Sequence, residues 1–286
     1  MIEDLPESIP VELARRWSIS SAFLIADTAS SVVFRVTLES GATAILKSLK
    51  PRGMGELPGM AFLDWRNGVG AVRMLEREGT VCLLEDAGHV TLRDYCLMNG
   101  EAASNTVIAD VIQRLHSQQQ RDIRQGLTPL DQHFEALFAR VKIEQDIRLK
   151  EPLRFCAEVA SMLLANQENT RPLHGDLHHE NIIAGSAREW LAIDPQGLLG
   201  DPAYDVANVF GNPIGAFHDI VDPQRISALR DQFARTLDCS EEKILNYAIA
   251  HAGLSICWSL EDGIALEDSE NACERLAFIN VARSLH

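Results

Sequence analysis

Residues 173–183 read LHGDLHHENII. Three histidines, two carboxylates and an amide stand between apolar residues, so a largely buried segment carries acid–base or metal-binding chemistry. His174 and His178 are one helical turn apart, the spacing at which two imidazoles on one helix face reach a single zinc ion. Gly175 interrupts such a helix, the stretch opens onto a β-like run, and no third ligand follows at zinc-site spacing. The zinc reading, which would make the chain a zinc hydrolase, is therefore the weaker one.

A second reading pairs Asp176 with Asn181 and with Asp194, at the end of the apolar run WLAID (190–194). Phosphoryl transfer from ATP needs this set. One carboxylate orients an acceptor hydroxyl and takes its proton, while an amide and a second carboxylate hold the Mg²⁺ that bridges the phosphates. The metal is obligatory here, because two like charges about 4 Å apart at an effective dielectric near 20 repel by roughly 4 kcal/mol.

Working outward, the first ninety residues alternate short β-rich runs with turns: 22–26, 31–38, 43–49, 70–75 and 80–85. They predict an antiparallel sheet of about five strands. Glu39-Ser40-Gly41 is a hairpin turn between the second and third, with glycine free to take positive φ. Residues 55–66 have room for one short helix despite Pro58 and Gly59. After Asp86-Ala87-Gly88 the pattern turns helical. Thr91 caps the first helix, apolar residues recur at helical spacing through Leu115 and beyond, and 181–183 with 190–194 form a small hairpin about a turn at Gly185-Ser186. Helices resume from about Val206 and from Pro223 to the end. The expected architecture is α+β in two lobes, residues 1–88 and 89–286, with a ligand cleft near Glu85–Gly88.

His174-Gly175-Asp176 followed by Asn181 resembles the catalytic loop of the aminoglycoside phosphotransferase superfamily. It is similar to the HRDLKxEN loop of protein kinases, with Gly175 for the arginine and His178 for the lysine. Ile193-Asp194-Pro195-Gln196-Gly197 stands where those kinases carry their metal-binding DFG segment, and GDPAYDVAN (200–208) also resembles the superfamily. The blocks LIADTASSVVFRV, WRNGVGAVRML, LHGDLHHENI and IDPQGLLGD together resemble the aminoglycoside/hydroxyurea resistance kinases, of the streptomycin 6-phosphotransferase type. The resemblance implies a protein-kinase-like fold and an ATP- and Mg²⁺-dependent kinase acting on a small-molecule hydroxyl. It implies Asp176 as the base, Asn181 and Asp194 as metal ligands, and His174 and Asp205 as braces of the loop.

The resemblance also makes Lys47 the residue that meets the α- and β-phosphates; otherwise it is an edge-strand lysine facing water. Its carboxylate partner is Glu56 or Asp64. Thr28-Ala29-Ser30-Ser31 stands at the phosphate-covering turn, where Ser30 and Ser31 offer hydroxyls and N–H groups. Glu85 and Ala87 stand at the hinge, where backbone reads adenine. His178 and His179 either approach the transferring phosphate or are solvated, and Glu180 faces solvent. The acidic run 259–270 follows Trp258; there Glu261 and Asp262 suit guanidinium or ammonium groups of a streptomycin-like acceptor, or simply line a solvated loop.

A net charge of −15 disfavours a nucleic-acid partner and permits a cationic ligand. The acidic, proline-containing start MIEDLPESIP lacks the pattern of a secretory signal, no apolar stretch reaches membrane-spanning length, and six scattered cysteines form no CxxC pair. These features predict a cytoplasmic protein with reduced thiols and no membrane partner. Alternative acceptors are hydroxyurea or a cellular metabolite alcohol; an alternative of another class is a nucleotide-binding regulator without turnover.

Overall fold

The computed structural model describes residues 6, 9–117, 125–185 and 188–285. Ser186 of the expected turn and most of the first ten residues lie outside them. A short helix α1 (Val11–Arg16) precedes a five-stranded antiparallel sheet of β1 (Ile19–Asp27), β2 (Ser31–Leu38), β3 (Thr43–Leu49), β4 (Met74–Glu78) and β5 (Val81–Glu85). The strand order is β1-β2-β3-β5-β4. Side chains alternate across a strand, and here the alternation separates two environments. Val32, Phe34, Val36, Ala44, Leu46, Val81 and Leu83 pack with Ile9, Leu13 and Trp17 of the α1 region. Val33, Arg35, Ile45, Lys47 and Leu84 face the other way and line a cleft. Lys47 therefore lies on a central strand, between Val33 and Cys82, and not on an edge. The β2–β3 turn closes as expected, with Gly41 at φ 83° and its N–H donating to the Leu38 carbonyl at 2.8 Å.

The fourth strand corrects the sequence reading: it runs over 74–78, not 70–75. Gly68 and Gly70 take positive φ, and the Val72 N–H donates to the Ala192 carbonyl at 3.0 Å. Residues 70–72 thus bury against the later hairpin, and the exposed, charged Met74–Glu78 becomes the edge strand.

After β3 the chain makes a 3₁₀ turn, Pro51–Glu56, and then α2 (Leu57–Arg66). Pro58 is tolerated because it sits in the first helical turn, where an N–H has no intrahelical partner. Gly59 is required by contact. A Cβ there would come within 1.8 Å of the Pro195 carbonyl oxygen, and one on Gly197 within 2.1 Å of the Pro58 oxygen. Backbone on backbone, the start of α2 is seated on residues 195–197.

The helical part comprises α3 (Leu92–Asn99), α4 (Glu101–Leu115), α5 (Leu130–His133), α6 (Glu135–Ile143), α7 (Ile147–Ala165), α8 (Phe217–Ile220), α9 (Pro223–Leu237), α10 (Glu241–Ser259) and α11 (Glu270–Ala282). Thr91 caps α3 through a reciprocal box with Asp94. The buried α10 packs against α7, α9, α11 and a 3₁₀ segment, Pro202–Gly211, which begins earlier than Val206 because Asp201 caps it. Between the helices lie β6 (Thr128–Pro129), β7 (Arg171–Leu173) and β10 (Leu198–Gly200) in one small sheet, and β8 (Ile182–Ile183) with β9 (Leu191–Ala192) in the expected hairpin. The larger core joins these helices to α2 and to one face of β3 and β5. The α+β, protein-kinase-like arrangement is thus formed, and the hairpin that follows the loop after β7 reaches the cleft through Ile183 and Ile193. Among the described residues no helix is long and apolar enough to cross a membrane.

Candidate active site

The loop of residues 174–181 is held from beneath by one buried carboxylate. Asp205 accepts the His174 N–H at 3.1 Å and the Gly175 N–H at 2.7 Å. The fully buried His174 ring bonds at both ends: Nε2 lies 2.9 Å from the Ile193 carbonyl, and Nδ1 accepts the Asp176 N–H at 3.2 Å. Its Nε2 therefore carries the proton, and burial lowers its pKa despite nearby Asp205 and Asp176. Gly175 has φ 83° and sits so close to Leu198 that a Cβ would meet it at 2.6 Å. Neither His174 nitrogen is free for a metal, so the spacing to His178 builds no zinc site. Among the described residues, no group of three or more His, Cys, Asp or Glu is placed to hold a metal ion.

Asp176 carries two amides. Asn208 Nδ2 donates to Oδ1 at 2.8 Å and Asn181 Nδ2 to Oδ2 at 3.2 Å. The loop is tied to the following segment, since the Ile193 N–H donates to the Asn181 carbonyl at 2.9 Å and the Gln196 N–H to the His174 carbonyl at 2.8 Å. Pairing of Ile182 with Ala192 thus brings Asn181 beside the residue that precedes Asp194. Asp194 itself takes φ 56° and leaves its side chain 58% exposed at the cleft. An amide oxygen and a carboxylate are the hard donors that Mg²⁺ takes while keeping waters and phosphate oxygens in its shell, so Asn181 and Asp194 fit that ion in donor chemistry.

Lys47 is 13% exposed and bridges Glu56, at 2.6 Å, and Asp194. Burial works against its charge, yet the two carboxylates outweigh this and raise its pKa. The 3₁₀ turn explains how Glu56 reaches a lysine so near in sequence; Asp64 is on the exposed face of α2. The cleft beside them encloses about 720 Å³, lined by Ile25, Val33, Ile45, Val72, Leu84, Ala87 and Ile193 among others. Ser31 also lines it, whereas Ser30 does not: its carbonyl accepts the Lys50 N–H at 2.7 Å. The Glu85 carboxylate is taken up by Arg188 and by the Arg73 N–H at 2.9 Å, so only hinge backbone at 85–88 remains for a ligand.

His178 and His179 are not solvated, and Glu180 does not simply face water. His178 Nδ1 bonds Glu180 at 2.8 Å, its Nε2 lies 3.7 Å from Asp176, and Glu180 is anchored by Arg93 at 2.9 Å. Burial opposes the imidazolium, but the two carboxylates push its pKa up to about 9. Burial holds His179 down to about 4. A raised histidine pKa contributes stability that is present below the unfolded pKa near 6.5 and lost as pH rises through about 9. His178→Gln is therefore expected to cost on the order of 2 kcal/mol near pH 6, with the difference from wild type closing by pH 10 in urea unfolding. A pH-independent difference contradicts the ion pair.

Trp258 is half-buried beside His133, with ring centroids 5.2 Å apart, while Glu261 and Asp262 lie in an exposed turn beyond it. The structure gives no contact that brings these two carboxylates to Asp176. Sequence reasoning missed Asn208, Arg93 and His133. The GDPAYDVAN block contains Asn208, but nothing in its spacing marks that amide as a partner of Asp176.

The family model of aminoglycoside/hydroxyurea antibiotic resistance kinases matches residues 16–263. The chain is 35% identical over 221 residues to a streptomycin 3''-kinase of Klebsiella pneumoniae, covering 73% of this chain and 77% of the relative. It is 28% identical over 268 residues to a streptomycin 6-kinase of Streptomyces griseus, covering 90% and 84%. Its fold is similar to that of a thermostable mutant of aminoglycoside phosphotransferase APH(4)-Ia solved with ADP and hygromycin B. There the TM-score is 0.64, at 16% identity over 97% of this chain and 98% of that one. With the family model matched over residues 16–263 and a relative 35% identical over 73% of the chain, the chain belongs to the aminoglycoside/hydroxyurea antibiotic resistance kinase family.

Proposed function

We propose that this kinase transfers the γ-phosphoryl group of ATP to a hydroxyl of a small cationic acceptor, streptomycin or a related aminoglycoside, in the cytoplasm. In this reading residues 1–88 bind the nucleotide, and residues 89–286 carry the catalytic loop and the acceptor site. The observation that carries it is one connected set of contacts: Asp176 is held by two amides, the Asn181 carbonyl accepts the Ile193 N–H, and the next residue, Asp194, shares Lys47 with Glu56. Asp176 orients the acceptor hydroxyl and takes its proton as the new O–P bond forms and the bond to the departing ADP oxygen breaks. Lys47, steered by Glu56, meets the α- and β-phosphates, and hinge backbone at Glu85 and Ala87 reads the adenine. The Ser31 turn covers the phosphates from above. Mg²⁺, when bound by Asn181 and Asp194, would neutralise phosphate charge.

A coupled ADP-release screen over aminoglycosides, hydroxyurea and common metabolite alcohols tests the reading, with Asp176→Asn as blank. Stimulation by streptomycin above that blank supports it. Stimulation by hydroxyurea or a metabolite alcohol alone reassigns the acceptor, and no stimulation by any compound favours a nucleotide-binding regulator.

The acceptor's cationic character rests on the net charge of −15 and on the exposed carboxylates beyond Trp258. Replacing Glu261 and Asp262 together by Ala is expected to raise the KM for streptomycin about fivefold, more at low than at high salt, because exposed charges are screened. An unchanged KM removes this segment from the acceptor site.

A further inference from the structure

Three rings form a chain below the catalytic loop. The Tyr204 hydroxyl lies 2.7 Å from His133 Nε2 and 2.9 Å from His251 Nδ1. Tyr204 belongs to the Pro202–Gly211 segment that also supplies Asp205 and Asn208, the residues that brace the loop and hold Asp176. His133, at the end of α5, is only partly buried, and its Nδ1 has no hydrogen-bond partner among the described residues. Trp258 of α10 meets the His133 ring edge-on at 5.2 Å and the His251 ring at 6.1 Å. Asn208, in the same segment as Tyr204, donates to Asp176 Oδ1 at 2.8 Å, so the ring chain and the carboxylate hang on one short stretch of backbone. None of these rings lines the cleft that Lys47 and Asp194 line.

We propose that His133 is a positioning residue for the acceptor, a polyhydroxylated ring bearing cationic nitrogen, and that Trp258 forms the wall against which that ring lies. The inference rests on the phosphotransferase reading above.

A phenol has one proton, so Tyr204 donates to one imidazole and accepts from the other. When it donates to His251, His133 keeps its proton on Nε2 and turns a lone pair at Nδ1 toward the acceptor. When it donates to His133, the Nδ1 carries the N–H. One side chain thereby offers either partner to a hydroxyl, an ammonium or an ether oxygen. Both imidazoles stay neutral: burial holds His133 down to about 4 against the pull of Asp176, and burial likewise lowers His251. The Trp258 face adds an apolar, π-rich surface of the kind that sugar C–H groups and guanidinium planes pack on.

The test is calorimetric titration of streptomycin into the whole chain without ATP, which reads acceptor binding apart from transfer. His133→Phe keeps the ring contacts but removes the nitrogen, and is expected to weaken binding about tenfold. His133→Asn restores a polar atom near the Nδ1 position and is expected to recover to within about threefold of wild type. Tyr204→Phe, which breaks the chain but keeps its packing, falls between them. Equal affinities in wild type and His133→Phe overturn the proposal, as does an equal loss in His133→Phe and His133→Asn. Failure of the phosphotransferase reading itself shows elsewhere, as bound streptomycin that stimulates no ADP release when ATP is added.

Discussion

Replacing Asp176 by Asn is expected to lower acceptor-dependent ADP release by about 10³-fold while the KM for ATP stays within about threefold. The carboxylate receives one amide N–H on each oxygen, from Asn208 at 2.8 Å and Asn181 at 3.2 Å. These neutral donors orient it without cancelling its charge. An amide at 176 has a single carbonyl oxygen, so its NH₂ group is turned toward one of the two donors. The variant therefore loses the base and also about 1 kcal/mol of stability, which a urea titration checks. Asn208→Ala keeps the carboxylate but frees one oxygen, and a loss of about tenfold is expected as the orientation relaxes. Single-turnover rates separate the two effects. An Asp176→Asn enzyme retaining a tenth or more of the wild-type rate would remove Asp176 from the chemistry.

Asp194→Asn is expected to be as damaging by a different route. The rate falls by about 10³-fold, and the Mg²⁺ concentration for half-maximal rate rises at least about tenfold. Asn is the informative substitution because Asp194 sits at φ 56°, a left-handed conformation that Asn adopts readily and that costs Ala about 1 kcal/mol. Stability should change little, since Lys47 keeps Glu56 at 2.6 Å. Asp194 also bonds Lys47, so a ligand role for Asp194 predicts that Mg²⁺ and the lysine compete for this carboxylate. An Mg²⁺ titration of ADP release reads the result directly. Unchanged Mg²⁺ dependence would exclude Asp194 as a ligand.

Where the sequence reading failed, the cause was long-range packing. Residues 70–75 have strand-like composition, but two glycines and a contact with Ala192 take the first part of the run into the larger core. Glu180 read as a loop residue facing water, and His178 stayed open between the transferring phosphate and water, because Arg93, which completes their ion-pair chain, comes from a helix far earlier in the sequence. Lys47 was legible as a lone cation in an apolar run. Its partner was ambiguous, because chain separation alone does not reveal that a 3₁₀ turn brings Glu56 back across the strand.

By itself, the sequence determined what depends on neighbouring residues. The period-two strands, the Gly41 turn, the Thr91 cap, and the order and chemical types of Asp176, Asn181 and Asp194 all follow from local spacing and side-chain chemistry. Only the tertiary structure decided which distant groups meet. It set Asn208 on Asp176, Asp205 under two loop amides, Glu56 on Lys47, and His133, Tyr204 and His251 in one hydrogen-bonded chain. Those pairings arise because buried polar groups must find partners wherever the packed helices and strands deliver them, and spacing along the chain does not encode that meeting.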